Sequence, residues 1–379
     1  MADSSSRQNG DRRASIAGIG LATPLGIGAE ATWRSLLEGR YINDHARVPL
    51  ECADRRGRVV PLAMCAVSEA IAAAGWSDDE LRDDQTALVV GTSKGPVESW
   101  LAPLSHMERA PYVAGGLHLT GLSEVASELA RRLGLGLGPR LTISAACASG
   151  LGALIRGAIM IHCGEADRVL VVAAESSLHP IFLASFQRLG VLSSPDVGCR
   201  PFDQHRQGFL MSEAAAAICL TNARMANAVV IDRFALGGDA QHLTAADPSG
   251  ATLRRLLADV LDGRPIDLIH GHGTGTLQND PIELAALDES IRDCTTPPVL
   301  YSHKGAIGHS LGAAGLVATA ISCLIHQRSI IPGNVRTHAP LPANRLILST
   351  QPVRRAVNRS LVYASGFGGA TAAITLENA

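Results

Sequence analysis

Aromatic side chains are scarce in this sequence: phenylalanine, tryptophan and tyrosine make up 3% of 379 residues. That argues against a surface that stacks nucleic-acid bases. Charge of one sign is missing too. Lys+Arg number 33 against Asp+Glu 35, a formal net charge of −2, and the basic residues are scattered, so no footprint for nucleic acid is present. None of the 8 cysteines falls in a Cys-x-x-Cys pair, and most sit in apolar or Ala-rich settings, as expected of reduced, buried small hydrophobes in a cytosolic protein. No uninterrupted apolar run reaches transmembrane length. The polar stretch Met1–Arg13 lacks the apolar core of a signal peptide and reads as a disordered lead-in. These absences point to a cytoplasmic protein with no membrane or nucleic-acid partner.

What is present is a core-forming composition, 46% hydrophobic and 18% charged, rich in Ala, Gly, Leu and Val. Apolar runs that read as strands occur at Ser15–Gly20, Ala87–Gly91, Arg140–Ser144, Arg168–Ala174, Val229–Leu236, Ile266–His270, Val299–Ser302 and Ser360–Ala364. Helical patterns lie between them, at Glu30–Glu38, Pro61–Ala74, Ser123–Leu133, Ala148–His162, Thr252–Leu261, Pro281–Ser290 and Leu311–Gln327. The alternation predicts an α/β fold with largely parallel strands. An internal echo supports a duplication. Gly208-Phe209 followed by the Ala-rich run to Leu220 matches Gly366-Phe367 followed by the Ala-rich run to Leu376. The expected units are residues 14–224 and 225–379, with the site where the halves meet.

Four motifs carry chemistry. In Thr142-Ile-Ser-Ala-Ala-Cys147-Ala-Ser-Gly150, a strand turns through small residues into a helix, which suits a nucleophile elbow. The helix N-terminus is expected to favour thiolate at Cys147, although a lone cysteine at a crowded corner usually only packs. The second motif runs from His270-Gly-His272-Gly-Thr274-Gly-Thr276 to Asp280 and Glu283. Its glycines allow close backbone approach to a ligand, and its threonines can hydrogen-bond an amide-bearing arm. His270, His272 and Asp280 are conceivable metal ligands, but no second His-x-His or cysteine supports that reading. Third comes Lys304-Gly-Ala-Ile-Gly-His309-Ser-Leu-Gly, where a strand again passes into a buried helix. His309 there is expected to stay neutral, and Lys304 suits an ion pair with Glu283. Gly366-Phe367-Gly368-Gly369 is the fourth, a glycine-rich bend after an apolar strand.

In this order, the four motifs resemble the elongating β-ketoacyl-acyl-carrier-protein synthases, over about Ile16 to Leu376. The resemblance implies a thiolase-like fold, two duplicated αβ halves in five layers, αβαβα. It implies that Cys147 carries the acyl group, and that the backbone N–H groups of Cys147 and Phe367 form an oxyanion hole. His272 and His309 would drive decarboxylation of a malonyl thioester and stabilise the enolate, with Lys304 and Glu283 organising them. Thr274, Thr276, Phe367 and Gly368 would bind substrate, Phe367 also gating the acyl pocket. The implied partners are an acyl carrier protein with its phosphopantetheine arm, the malonyl thioester, and a second subunit, the same or a related ketosynthase. No metal or cofactor is implied.

Thiolases place a second cysteine near the C-terminus, and no cysteine follows Cys323. Initiating synthases have Asn where His309 stands, and silent chain-length factors lack the nucleophile. The sequence departs from the family at Ser212-Glu-Ala-Ala-Ala, at Ala370-Thr371, and in a trimmed Gly39–Pro61. The trimmed loops motivate one rival reading, a weakly active or silent partner subunit; another is a cysteine acyltransferase or thioester hydrolase that forms no carbon–carbon bond.

Overall fold

The chain's first described strand, β1 (Ser15–Thr23), pairs antiparallel with strands from both halves of the sequence. The structure is a computed structural model that describes residues 12–52, 57–101, 121–223, 225–242, 244, 247–292 and 294–379. Most of the expected lead-in over 1–13 lies outside the described residues, as does 53–56 within the trimmed segment.

After β1 come the short β2 (Gly26–Ile27), α1 (Ala29–Leu37), α2 (Val59–Ala74) and α3 (Asp78–Arg82). They are followed by β3 (Thr86–Gly91), α4 (Glu124–Leu133), β4 (Arg140–Ile143), α5 (Ser149–Cys163), β5 (Arg168–Glu175), α6 (Pro180–Arg188) and β6 (Ala214–Thr221). The second set is β7 (Val229–Gly238), α7 (Ala251–Leu261), β8 (Leu268–His270), α8 (Asn279–Ser290), β9 (Val299–Tyr301) and α9 (Lys304–Ile307). A 3-10 turn at Leu311–Ala313 leads into α10 (Ala314–Arg328), then β10 (Ile330–Ile331), β11 (Val353–Arg354), β12 (Arg359–Ser365) and β13 (Ala370–Asn378).

The main sheet runs β4-β3-β5-β6-β1-β7-β13-β12-β8-β9. Read outward from the β1–β7 seam, the two sides are the same. Each ends in two parallel pairs, β5-β3-β4 on one side and β12-β8-β9 on the other. In each, the two strands nearest the seam are antiparallel to their neighbours. The sheet is therefore mixed rather than largely parallel. The turn Gly366–Gly369 between β12 and β13 is too short for a crossover and forces a hairpin.

The strands are buried on both faces, and their alternation sorts the core into layers. In β3 and β5, Ala87, Val89, Val169 and Val171 face one cluster, which contains α5 and α10. Leu88, Val90, Leu170 and Val172 face another, with α2 and α4. On the other side of the seam, Ile269, Leu361 and Tyr363 pack on α7 and α8. Helix, sheet, helix, sheet, helix is the resulting stack, with α5 and α10 in the middle. The stretch Ala146–Cys163 has the length and apolarity of a membrane span, but here it packs on β3, β5 and α10 as a core helix. Gly150 sets that spacing: a Cβ there would lie 2.9 Å from Ala173 Cβ and from Gly312 O.

Candidate active site

Cys147 stands between β4 and α5, after Ala146, which holds a positive φ of 47°. A non-glycine residue in that conformation is strained, as expected at a tight elbow. Ser149 ties the corner, its Oγ accepting from Ala145 N–H at 2.9 Å and donating to Ala146 O at 2.6 Å. Burial works against the expected bias toward thiolate. Burial pushes the Cys147 thiol up to about 11, with Glu175 adding to the effect and Lys304 and Lys94 opposing it. Desolvation acts against the helix terminus here, on a side chain that is half-buried.

His272 follows β8, and His309 follows α9 at the matching place before α10. The imidazoles meet edge to face, centroids 5.5 Å apart. Both are buried, and burial together with the nearby Lys304 charge holds both well below the ordinary histidine range. They are neutral at neutral pH. His309 is fixed through its backbone, N–H to Leu210 O at 2.8 Å, and its Nδ1 has no hydrogen-bond partner among the described residues.

Two further residues of the second and third motifs hold His272. Glu283, on α8, accepts the N–H groups of His272 at 2.6 Å and Gly273 at 2.9 Å. Lys304 donates from Nζ to His272 O. The expected Lys304–Glu283 ion pair is not formed. Both grip the same loop instead, one by its carbonyl and one by its N–H groups. Burial lowers the Lys304 pKa and raises that of Glu283. Thr274 and Thr276 share a hydroxyl hydrogen bond of 2.9 Å. Asp280, conceivable as a ligand with His270, instead caps the loop through Phe202 N–H at 2.7 Å and Gly275 N–H. His270 turns away to His303, with Nε2 2.9 Å from its Nδ1. Among the described residues no cluster could hold a metal ion.

The Gly366–Gly369 turn closes over the elbow, so that a Cβ on Gly366 would come within 3.0 Å of Cys147 N. Cys147, His272, His309, Thr274, Thr276, Glu283, Phe367 and Gly368 all line one cavity of about 380 Å³. Lys304 lies behind it, under His272. The structure also reveals residues that sequence reasoning passed over, Phe182, Phe186 and Phe209. Of the 6 phenylalanines, Phe182, Phe186, Phe209 and Phe367 gather in one cluster with Cys147. The rarity of aromatics was the available signal. Phe186 sits on α6, whose start is marked only by Pro180 and by His179 accepting from Ile181 N–H.

The family description "Beta-ketoacyl synthase, N-terminal domain" matches residues 44–226, and its C-terminal counterpart matches 228–338. The chain belongs to the beta-ketoacyl synthase family. A protein of Streptomyces halstedii that carries the name of a polyketide beta-ketoacyl synthase 1 is 30% identical, over 96% of this chain and 98% of its own. The 3-oxoacyl-[acyl-carrier-protein] synthase 2 of Rhizobium meliloti is 29% identical over 97% and 99%. The solved ishigamide ketosynthase/chain length factor superposes with TM-score 0.84 and 26% identity, covering 97% of this chain and 99% of that one. This synthase is thus an α/β condensing enzyme of the group that serves fatty-acid and polyketide synthesis.

Proposed function

We propose that this ketosynthase performs a decarboxylative Claisen condensation, with Cys147 as acyl carrier and His272 and His309 as the enolate-stabilising pair. One observation carries the assignment: a thiol and two neutral, edge-to-face imidazoles open onto the same cavity. In the first step Cys147 Sγ attacks an acyl thioester and the donor thiol leaves with the cysteine proton. The N–H groups of Cys147 and Phe367 receive the oxyanion. The malonyl thioester then loses carbon dioxide, and the electron pair of the broken bond moves onto the thioester oxygen, where His272 and His309 donate N–H bonds. A neutral imidazole suits this role, because it donates strongly without holding a charge that must be neutralised in the next step. The enolate carbon attacks the acyl carbon on Cys147, whose sulfur departs as thiolate and takes a proton from solvent, and a β-ketoacyl thioester forms.

Lys304 and Glu283 act as positioning residues for His272. Thr274 and Thr276 meet the amides of the phosphopantetheine arm of an acyl carrier protein, and Phe367 and Gly368 border the acyl pocket. The halves 14–224 and 225–379 supply the nucleophile and the imidazoles respectively, in a cytoplasmic protein. The chemistry calls for neither metal nor redox cofactor.

Malonyl thioester with an acyl carrier donor tests this reading. Cys147→Ala is expected to keep decarboxylation and lose condensation. Intact mass of the wild type showing no acyl adduct on Cys147 with any donor would overturn it. The likeness to a ketosynthase solved with a chain length factor favours a second reading, in which this chain works beside a related subunit. Full activity of a homodimer defined by light scattering would exclude that version.

A further inference from the structure

Of the 33 lysines and arginines, only Lys94 and Lys304 are lysines, and both charges act on Cys147. Lys304 is committed to His272. Lys94 has no assigned task. It follows β3, whose last residue abuts the elbow helix so closely that a Cβ on Gly91 would lie 2.6 Å from Ser149 O. The next residues wrap the buried carboxylate of Glu175. Ser93 donates to it from N at 2.9 Å and from Oγ at 2.6 Å, and Lys94 N–H donates at 3.1 Å. Gly312 N–H, three residues beyond His309, donates to the same carboxylate at 3.1 Å. The Lys94 backbone is therefore pinned between the segments that carry Cys147 and His309.

Its side chain reaches over the ring of Phe182, with Nζ 5.3 Å from the centroid. Phe182 belongs to the apolar cluster around Cys147, together with Phe186, Phe209 and Leu311. Among the described residues the ammonium has no hydrogen bond and no carboxylate partner. Glu175, which the Lys94 backbone meets, is saturated by Ser93, Lys94, Ser177 and Gly312. A compact cation thus stands over the edge of the apolar cluster that holds Cys147, without an acidic partner among the described residues. An alkyl chain running from Cys147 along Phe186 toward it would only strip water from it. A chain ending in a carboxylate would form a charge-assisted hydrogen bond there.

We propose that Lys94 determines acyl specificity, and that the group loaded on Cys147 ends in a carboxylate. This rests on the assignment of Cys147 as acyl carrier. Loading forms the bond from Sγ to the acyl carbon and breaks the donor's carbon–sulfur bond, and the cysteine proton leaves on the donor thiol. The distal carboxylate takes no part in bond making.

The test loads the purified full-length protein with length-matched pantetheine thioesters, glutaryl against pentanoyl and adipoyl against hexanoyl, and follows Cys147 by intact mass. Wild type is expected to load the carboxylated member of each pair about tenfold faster. Lys94→Met is expected to erase or invert that ratio, and Lys94→Arg to keep part of it. Alkylation of Cys147 by iodoacetamide shows that each variant retains a reactive elbow. Equal or faster alkanoyl loading in the wild type, or an unchanged ratio in Lys94→Met, overturns the role of Lys94 and leaves Cys147 as the carrier. No loading from any donor overturns both.

Discussion

A thiol pushed up to about 11 is almost wholly protonated at neutral pH, so Cys147 waits for its proton to be taken before it reacts. Alkylation of Cys147 by iodoacetamide is therefore expected to quicken about tenfold per pH unit between about pH 7 and 9, with no plateau in that range. A plateau near neutral pH would show a thiolate that burial does not suppress. Gly366 offers a second check at this scale. Its missing side chain lets the hairpin reach Cys147 N, so Gly366→Val is expected to push the Phe367 N–H off the oxyanion position. Condensation should fall about 10²-fold with little change in thermal midpoint; a condensation rate near that of the wild type would remove the hairpin from the site. Cys147, His272 and His309 were legible in the sequence because each lies in a glycine- and small-residue-rich segment downstream of an apolar run, a local pattern. Phe186 and Phe209 were not, since the cluster that joins them to Cys147 draws on segments that no spacing rule connects.

Among the elements, the strand positions were readable from apolar runs, but their directions were not. Alternation of strand and helix suggests parallel pairing, yet β6 and β13 return antiparallel beside the seam. Their Ala-rich sequences were visible only as an internal echo. Short helices escaped for a different reason: α9 has four residues, too few to show a period. The Lys304–Glu283 contact was misread because pairing by charge ignored the backbone groups between them, which both side chains prefer. The buried Glu175 shows how such backbone donors hold elements together, since it gathers the end of β3 and the turn before α10 on one carboxylate. Glu175→Leu is expected to leave those donors without partners and cost about 3 kcal/mol or more in urea unfolding. A loss under about 1 kcal/mol would mean that water replaces the carboxylate.

For the molecule as a whole, the buried imidazoles set the response to acid. His270, His272, His303 and His309 are buried, and burial first, with the Lys304 charge second, keeps all four far below the ordinary range. Below about pH 6.5 the unfolded chain binds protons at these residues that the folded chain refuses, so stability falls as pH falls. Asp280 and Glu283 oppose this, because burial raises their pKa values and the folded state holds their protons longer. Four groups against two leave a net loss of stability in acid, at about 1.4 kcal/mol per pH unit for each proton by which the unfolded chain leads. Urea midpoints near pH 7.5 and 5.5 measure it, and equal midpoints would contradict the burial of these rings.

The place of β1 at the seam also governs how the protein is made. Ile16 pairs with Leu220 and Ser15 with Val230, so β1 leaves the ribosome about 200 residues before these partners. At ~5–20 residues per second that delay is about 10–40 s. Throughout it an apolar strand with open edges, the kind that aggregates, lies bare on the nascent chain. The yield of this synthase is therefore tied to how well the cell shelters Ser15–Thr23 in that interval.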